Sequence, residues 1–373
     1  MEKRLNIDAL RDALKDKGLN AAALAQKLDV SREAVSKWLN GESIPRPDKL
    51  LRLGSLLSVG FGDLMVRDEP HAPVVAFRKM KGTKTKDGHY EHAKEMGRML
   101  EQLVSLLPFN TMNMPPTLKN PSCDYDYIRR ATAAVRADIH VELDKPIDFE
   151  HLIKRFGELQ TVLIPVLWGA KQRHENAVHI FLPKSRTTWV YLNLDVNIHD
   201  FKFWMAHELG HTLTPDLHGD DGEDFADAFA AALLFPHELA EQAYKEMHGK
   251  SQQSQLKTIK TWAEKLVTSP YHVYRQVNEY ARHLKLSELA LGNVIFAVTT
   301  KFNEGYKNVA ETLFGEERPA PAVYIKSARE NFETPFFEVL GQYLRKSDRG
   351  PGFVQTVLDT ALLDAKAIHA ELK

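Results

Sequence analysis

Two histidines four residues apart, in a stretch otherwise built of large apolar side chains, constrain this chain more than any other feature. The stretch is Phe201-Lys-Phe-Trp-Met-Ala-His207-Glu208-Leu-Gly-His211-Thr-Leu. Positions i and i+4 lie one above the other on a helix face, so a helix here stacks both imidazoles on one side. Phe203, Trp204, Met205, Leu209 and Leu213 flank them, which makes this a core-facing element.

That spacing lets both imidazoles reach one tetrahedral zinc at about 2.0–2.1 Å. Glu208 follows the first histidine directly. Its carboxylate can reach a water in the open coordination position and take its proton, which makes it the candidate general base. A catalytic zinc needs a third protein ligand. A second acidic helix follows at Gly222-Glu223-Asp224-Phe225-Ala226-Asp227 and runs on to Pro236. Glu223 and Asp227 share a face, so one can ligate while the other accepts the spare ring N–H of a ligand histidine. Between Glu223 and Asp224, the pairing with Asp227 favours Glu223. Phe225, Phe229, Leu233 and Leu234 bury the other side of the helix. His218, Asp220 and Asp221 read as solvated residues of the connecting loop.

The run HELGH, followed by E-x-x-A-D-x-F-A-x-x-L-L-x-P, resembles the ImmA/IrrE family of metallopeptidases, as does the preceding strand ending at Tyr191-Leu-Asn193. The resemblance spans roughly residues 125–290. It implies a thermolysin-like (gluzincin) zinc metallo-endopeptidase that acts on DNA-binding repressors, with the first glutamate of the second motif, Glu223, as ligand. Phe225 stands where the family often has an acidic or polar residue, a departure that does not touch the ligands.

Residues 1–66 read as short helices, with apolar residues at helical spacing in Ile7–Leu14, Ala22–Leu28, Ala34–Leu39 and Leu50–Leu57 and nothing that alternates like a strand. Leu24 to Leu28 and the stretch after Ser31 fit a helix-turn-helix, with Asp29-Val30 as the turn and Ser31 as N-cap of the second helix. Val35, Trp38 and Leu39 pack inward. Arg32, Glu33, Ser36 and Lys37 then point outward, where a recognition helix meets base edges and phosphates. Trp38-Leu-Asn-Gly-Glu and Pro45-x-Pro47 are similar to the XRE-type repressor domain. Ala21 stands where such repressors often have a glutamine, which leaves Asn20 and Gln26 as the nearby candidates for that phosphate contact; Ser31 completes the DNA-binding set. The competing reading is a plain helical bundle for protein contacts.

Charge argues for no partner. The chain carries a formal net charge of −1, and residues 1–67 hold 12 Lys/Arg against 9 Asp/Glu. A basic run at Arg78, Lys79, Lys81, Lys84 and Lys86 reads as a solvated linker, or as an arm on nucleic acid. The single cysteine, Cys123, excludes an internal disulfide and a cysteine-rich zinc site. The N-terminus has no apolar signal-peptide core, and no stretch approaches the ~20 apolar residues of a membrane span; a soluble, cytoplasmic protein without a membrane partner is expected.

Three strands are expected at Thr161–Leu167, Ala177–Leu182 and Thr188–Leu194, and helices at Tyr125–Ile139, Phe149–Phe156 and across most of the remainder. The expected fold class is α+β: an all-α helix-turn-helix domain (1–66), a linker with one amphipathic helix (67–121), a thermolysin-like metallopeptidase domain with a small sheet (122–290), and a mostly helical regulatory or oligomerisation region (291–373), where Asn293–Thr300 could be extended. The expected function is a DNA-binding transcriptional regulator fused to a Zn2+ peptidase that cleaves a repressor in a stress or phage-defence response. Its partners would be a double-stranded DNA operator, the repressor as substrate, single-stranded DNA as a candidate inducer, and a second copy in a homodimer. The alternative is a regulator or toxin–antitoxin component whose zinc site is structural or sensory.

Overall fold

The computed structural model describes residues 3–60, 64–67, 72–76, 87–109, 116–169, 176–315 and 317–373. The basic run from Arg78 to Lys86 lies outside the described residues. The chain divides into two compact units, Met1–His71 and Ala72–Lys373.

In the first unit, β1 (Lys3–Leu5) pairs antiparallel with β2 (Met65–Arg67), Lys3 opposite Arg67. These strands were not expected from the sequence, because three residues are too few to display a period of two. Between them run α1 (Ile7–Asp16), α2 (Ala21–Leu28), α3 (Arg32–Leu39) and α4 (Pro47–Leu57). The side chains of Asn6, Asn20 and Ser31 accept backbone N–H bonds at the starts of α1, α2 and α3, satisfying donors that a helix start leaves free. Leu10, Leu24, Leu28, Val35, Trp38, Leu53 and Leu57 form the core.

The second unit is organised by a four-stranded sheet of order β3-β5-β6-β4: β3 (Val74–Ala76), β4 (Val162–Val166), β5 (Ala177–Leu182) and β6 (Thr187–Asn193). β4 runs parallel to β6, and the other pairs are antiparallel. Alternation splits the strands between two cores. Val162, Ile164, Val178, Ile180, Leu182, Trp189 and Tyr191 face one side, and Leu163, Ala177, Val190 and Leu192 the other. A sheet covered on both faces has strands that read as continuous apolar runs, which is why β4–β6 were legible.

On the first face lie α5 (Asp87–Glu101) and, from the far end of the chain, α15 (Pro321–Phe332), α16 (Phe336–Ser347), α17 (Pro351–Leu358) and α18 (Leu362–Leu372). They contribute Met96, Leu100, Tyr324, Phe336, Leu340, Val354 and Ile368 to one core. The stretches read from sequence as linker and as separate C-terminal region thus close one face of the sheet. Tyr191 donates to the Val357 carbonyl at 2.7 Å, and Trp168 Nε1 to that of Leu358 at 2.9 Å.

The second face carries α6 (Tyr125–Asp138), α7 (Phe149–Glu158), α8 (Ile198–Leu213) and α9 (Gly219–Leu234). Asn197 caps α8 directly after β6. A third cluster joins α10 (His237–Met247), α11 (Gln252–Leu266), α12 (Pro270–His283) and α13 (Val294–Asn303). α14 (Val309–Phe314) follows. Residues 294–303, allowed an extended form from sequence, are helical: Ile295 and Phe302 both bury on one helix face, against α12. Among the described residues no helix is long and apolar enough to cross a membrane.

α8 and α9 meet at Gly210, where a Cβ would stand 3.1 Å from Ala226 Cα and 3.3 Å from Phe229 Cδ1. Gly210→Val is expected to lower stability by about 1–3 kcal/mol through overpacking, more than the gain of under ~1 kcal/mol from replacing a helical glycine. Urea denaturation checks this; an unchanged midpoint would show that the helices can separate freely.

Candidate functional site

β6 delivers the chain to α8, and α8 carries His207 and His211 on the face turned to α9. Their Nε2 atoms are 3.1 Å apart. From the first turns of α9, Glu223 brings Oε2 to 3.5 Å from His207 Nε2 and Oε1 to 3.4 Å from His211 Nε2. Arms of about 2.0–2.1 Å at tetrahedral angles separate their ends by about 3.3–3.4 Å. The three donors therefore have the mutual spacing that one tetrahedral ion needs, and they form the only such group found among the described residues. Asp224, the other acidic residue weighed from sequence, is exposed and stands outside the group.

Asp227 Oδ1 lies 3.0 Å from His207 Nδ1. This contact holds the ring so that Nε2, not Nδ1, faces the other two donors. Glu208 is 3% exposed. Its Oε2 and the Glu223 Oε2 lack hydrogen-bond partners, a state that buried polar atoms seldom keep. A divalent cation with a bound water would satisfy two imidazole lone pairs and both orphaned carboxylate oxygens.

Burial opposes charge on every group here, and the neighbours decide the outcome. At His207 burial disfavours the imidazolium, but Asp227 and Glu223 outweigh it and raise the ring to about 9. At Glu223 burial favours the neutral acid, but the two histidines outweigh it and hold the carboxyl down to about 2. His211 is lowered by burial, with the adjacent His207 acting in the same direction. Glu208 has no ion-pair partner comparable to Asp227, so burial lifts it to about 8, in the range suited to a proton acceptor near neutral pH.

The cleft beside these groups is a cavity of about 30 Å3 lined by β3, His179, Phe181, His211, Leu217, His218 and Glu223, among others. His218, read as a solvated loop residue, is exposed on this rim. Asp220 and Asp221 open α9 and are exposed. His179 was missed from sequence. Burial pushes its ring well below the usual histidine range, and His211 adds to the effect. The available signal was a lone polar residue in the apolar strand Ala177-Val-His-Ile-Phe-Leu.

In the first unit, Asp29 takes a left-handed conformation at the end of α2, with φ 54°. The chain then turns through Val30 into Ser31 and α3. Asn20, Gln26, Ser31, Arg32, Glu33, Ser36 and Lys37 are all exposed, while Val35 and Trp38 are buried. The Asn20 and Ser31 side-chain oxygens serve as helix caps. Lys37 pairs with Glu33 at 2.9 Å.

Residues 10–64 match a family model described as helix-turn-helix. A 36-residue stretch is 58% identical to the 26 kDa repressor protein of Escherichia phage HK022, covering 10% of this chain and 15% of that protein's length. The crystal structure of ComR from Streptococcus suis aligns over 98% of this chain and 92% of its own, at 9% identity and a TM-score of 0.15, a likeness too weak to bear on fold or function. The N-terminal unit is a helix-turn-helix domain.

His207 and Glu208 both bind a proton more tightly folded than unfolded. Their stabilising contributions are complete below ordinary values of 6.5 and 4.5 and are lost as pH rises through about 9 and about 8. Glu223 has the opposite sign: its contribution is present above 4.5 and lost only as pH falls through about 2. With a chelator present, the urea midpoint should therefore fall between pH 6.5 and 9, and His207→Asn should flatten that decline. A flat wild-type profile would contradict the buried His207–Asp227 pair.

Proposed function

We propose that this chain is a DNA-binding transcriptional regulator whose second unit is a thermolysin-like zinc peptidase that cleaves a repressor protein. The observation that carries the enzymatic half is the triangle of His207, His211 and Glu223 donors at tetrahedral spacing, with Glu208 beside it and Asp227 behind His207. A purely structural site has no use for the buried Glu208 carboxylate, whose Oε2 has no hydrogen-bond partner.

His207, His211 and Glu223 would hold the ion, which supplies Lewis-acid polarisation of a carbonyl and acidification of a water. Asp227 keeps the His207 ring in one orientation. Glu208 accepts the proton of the attacking water and passes it to the departing amine. The helix-turn-helix unit presents α3 to the major groove, with Arg32, Ser36 and Lys37 toward the duplex. It brings the peptidase to an operator where a repressor is already bound, which supports a DNA-bound regulator as substrate.

Glu208→Gln should retain stoichiometric zinc and lose repressor cleavage by about 10²–10⁴-fold, read by metal analysis and a gel assay. Cleavage at the wild-type rate would remove Glu208 as the base and leave a structural or sensory metal site. Arg32→Ala should weaken operator binding by about 1–3 kcal/mol if it reads a base, or reduce the salt slope by about 1 if it meets a phosphate. Unchanged affinity and unchanged slope would take α3 out of the DNA interface.

A further inference from the structure

The peptidase reading leaves one ring on the wall of its own cleft without a task. In β5, alternation sends Val178, Ile180 and Leu182 to the core shared with α5, and so turns His179 to the α8 side. The residue is 4% exposed, and its ring lies 5.6 Å from that of His211. His179 Nε2 has no hydrogen-bond partner.

His179 Nε2, Glu208 Oε2 and Glu223 Oε2 are buried atoms without a hydrogen-bond partner among the described residues, and His179 and Glu223 line the same cavity. Such atoms are rare, and the one on His179 is left over after a cation and its water have satisfied the two carboxylates. The cavity lined by His179, His211 and Glu223 measures about 30 Å3, enough to admit an ordered water. A ring N–H on this wall would add a stabilising contact to a carbonyl oxygen that gains negative charge, beside the polarisation a bound ion would supply.

We propose, resting on the peptidase reading, that His179 is a catalytic residue whose ring N–H donates to the oxygen held in this cavity: a water at rest, the scissile carbonyl oxygen during reaction. Glu208 removes one proton from the attacking water, and the water oxygen bonds to the carbonyl carbon. The carbonyl π pair moves onto the oxygen that faces His179. That pair then re-forms the double bond, the C–N bond breaks, and the amine leaves with the proton returned by Glu208. Nothing is oxidised or reduced. His179 gives up no proton; it stabilises the charge as it forms, the kind of contact that is worth about 10²–10³ in rate where single oxyanion donors have been removed.

The test uses the full chain loaded with cobalt and acetohydroxamate as the probe, because the hydroxamate places oxygen atoms at the open position. Wild type should bind one cobalt, and the hydroxamate should perturb its visible spectrum. His179→Phe should bind cobalt equally well, bind hydroxamate about tenfold more weakly, and show a shifted pH midpoint in the cobalt spectrum. His179→Gln keeps a donor amide and should recover part of the affinity, and it decides the matter if the Phe variant does not fold. Wild-type hydroxamate affinity and an unchanged spectral midpoint in the folded variants would reduce His179 to a packing residue while leaving the peptidase reading intact. Failure of wild type to take up cobalt would overturn the metal reading itself, and the role of His179 with it.

Discussion

Close contact between α8 and α9 holds the candidate site together. The three donors meet where the two helices approach closely at Gly210, and Gly222 lets the second helix start tight against the turn that precedes it. Gly210 leaves no room for a Cβ beside Ala226, and at Gly222 a Cβ would stand 2.7 Å from the Leu217 carbonyl oxygen. The far end of α9 is held by the fully buried Arg136, which donates to the Leu233 carbonyl at 2.6 Å and to that of Glu142 at 2.8 Å. α9 is thus fixed at its start, middle and end. Donor separations of 3.1 to 3.5 Å tolerate little sliding, so the positional precision of the cluster is a property of helix packing.

That packing depends in turn on the sheet. α8 rests on one face, and the face is rigid because the opposite one is also covered. The covering elements come from opposite ends of the second unit, α5 from before the sheet and α15–α18 from the last fifty residues or so. Hydrogen bonds from Tyr191 and Trp168 to the end of α17 tie the strands to those distant helices. Residues far from any chemistry therefore support the frame in which the histidines stand.

Electrostatics at the site follow from one enclosure acting on groups with different neighbours. Every group loses water. Where an oppositely charged partner is in reach, as for His207 with Asp227, the charged form survives; where none is, as for Glu208, the neutral form gains. The same enclosure separates the two carboxyls: Glu208, lifted to about 8, can take up a proton near neutral pH, and Glu223, held near 2, remains an anion there.

Local patterns announced much of this in the sequence. The i, i+4 histidines, the four-residue spacing of Glu223 and Asp227, the apolar strands β4–β6, and the caps at Asn20 and Ser31 are all short-range features, written into consecutive residues by helix and strand periods. The sequence alone left Glu223 and Asp224 competing; the rotation of α9 turns one toward the histidines and leaves the other in water. β1, β2 and β3 have three residues each, and their existence depends on partners tens to about a hundred residues away. The same is true of α5 and the C-terminal helices, whose amphipathic faces were visible but whose common target was not. His179 shows the limit most clearly: its residue type was plain to read, but its place beside His211 comes from strand pairing and helix docking. The sequence by itself determined which residues could do chemistry and which local elements carry them. Tertiary packing decided which of them meet, because contacts between distant segments depend on the shape and burial of whole faces, which no local period encodes.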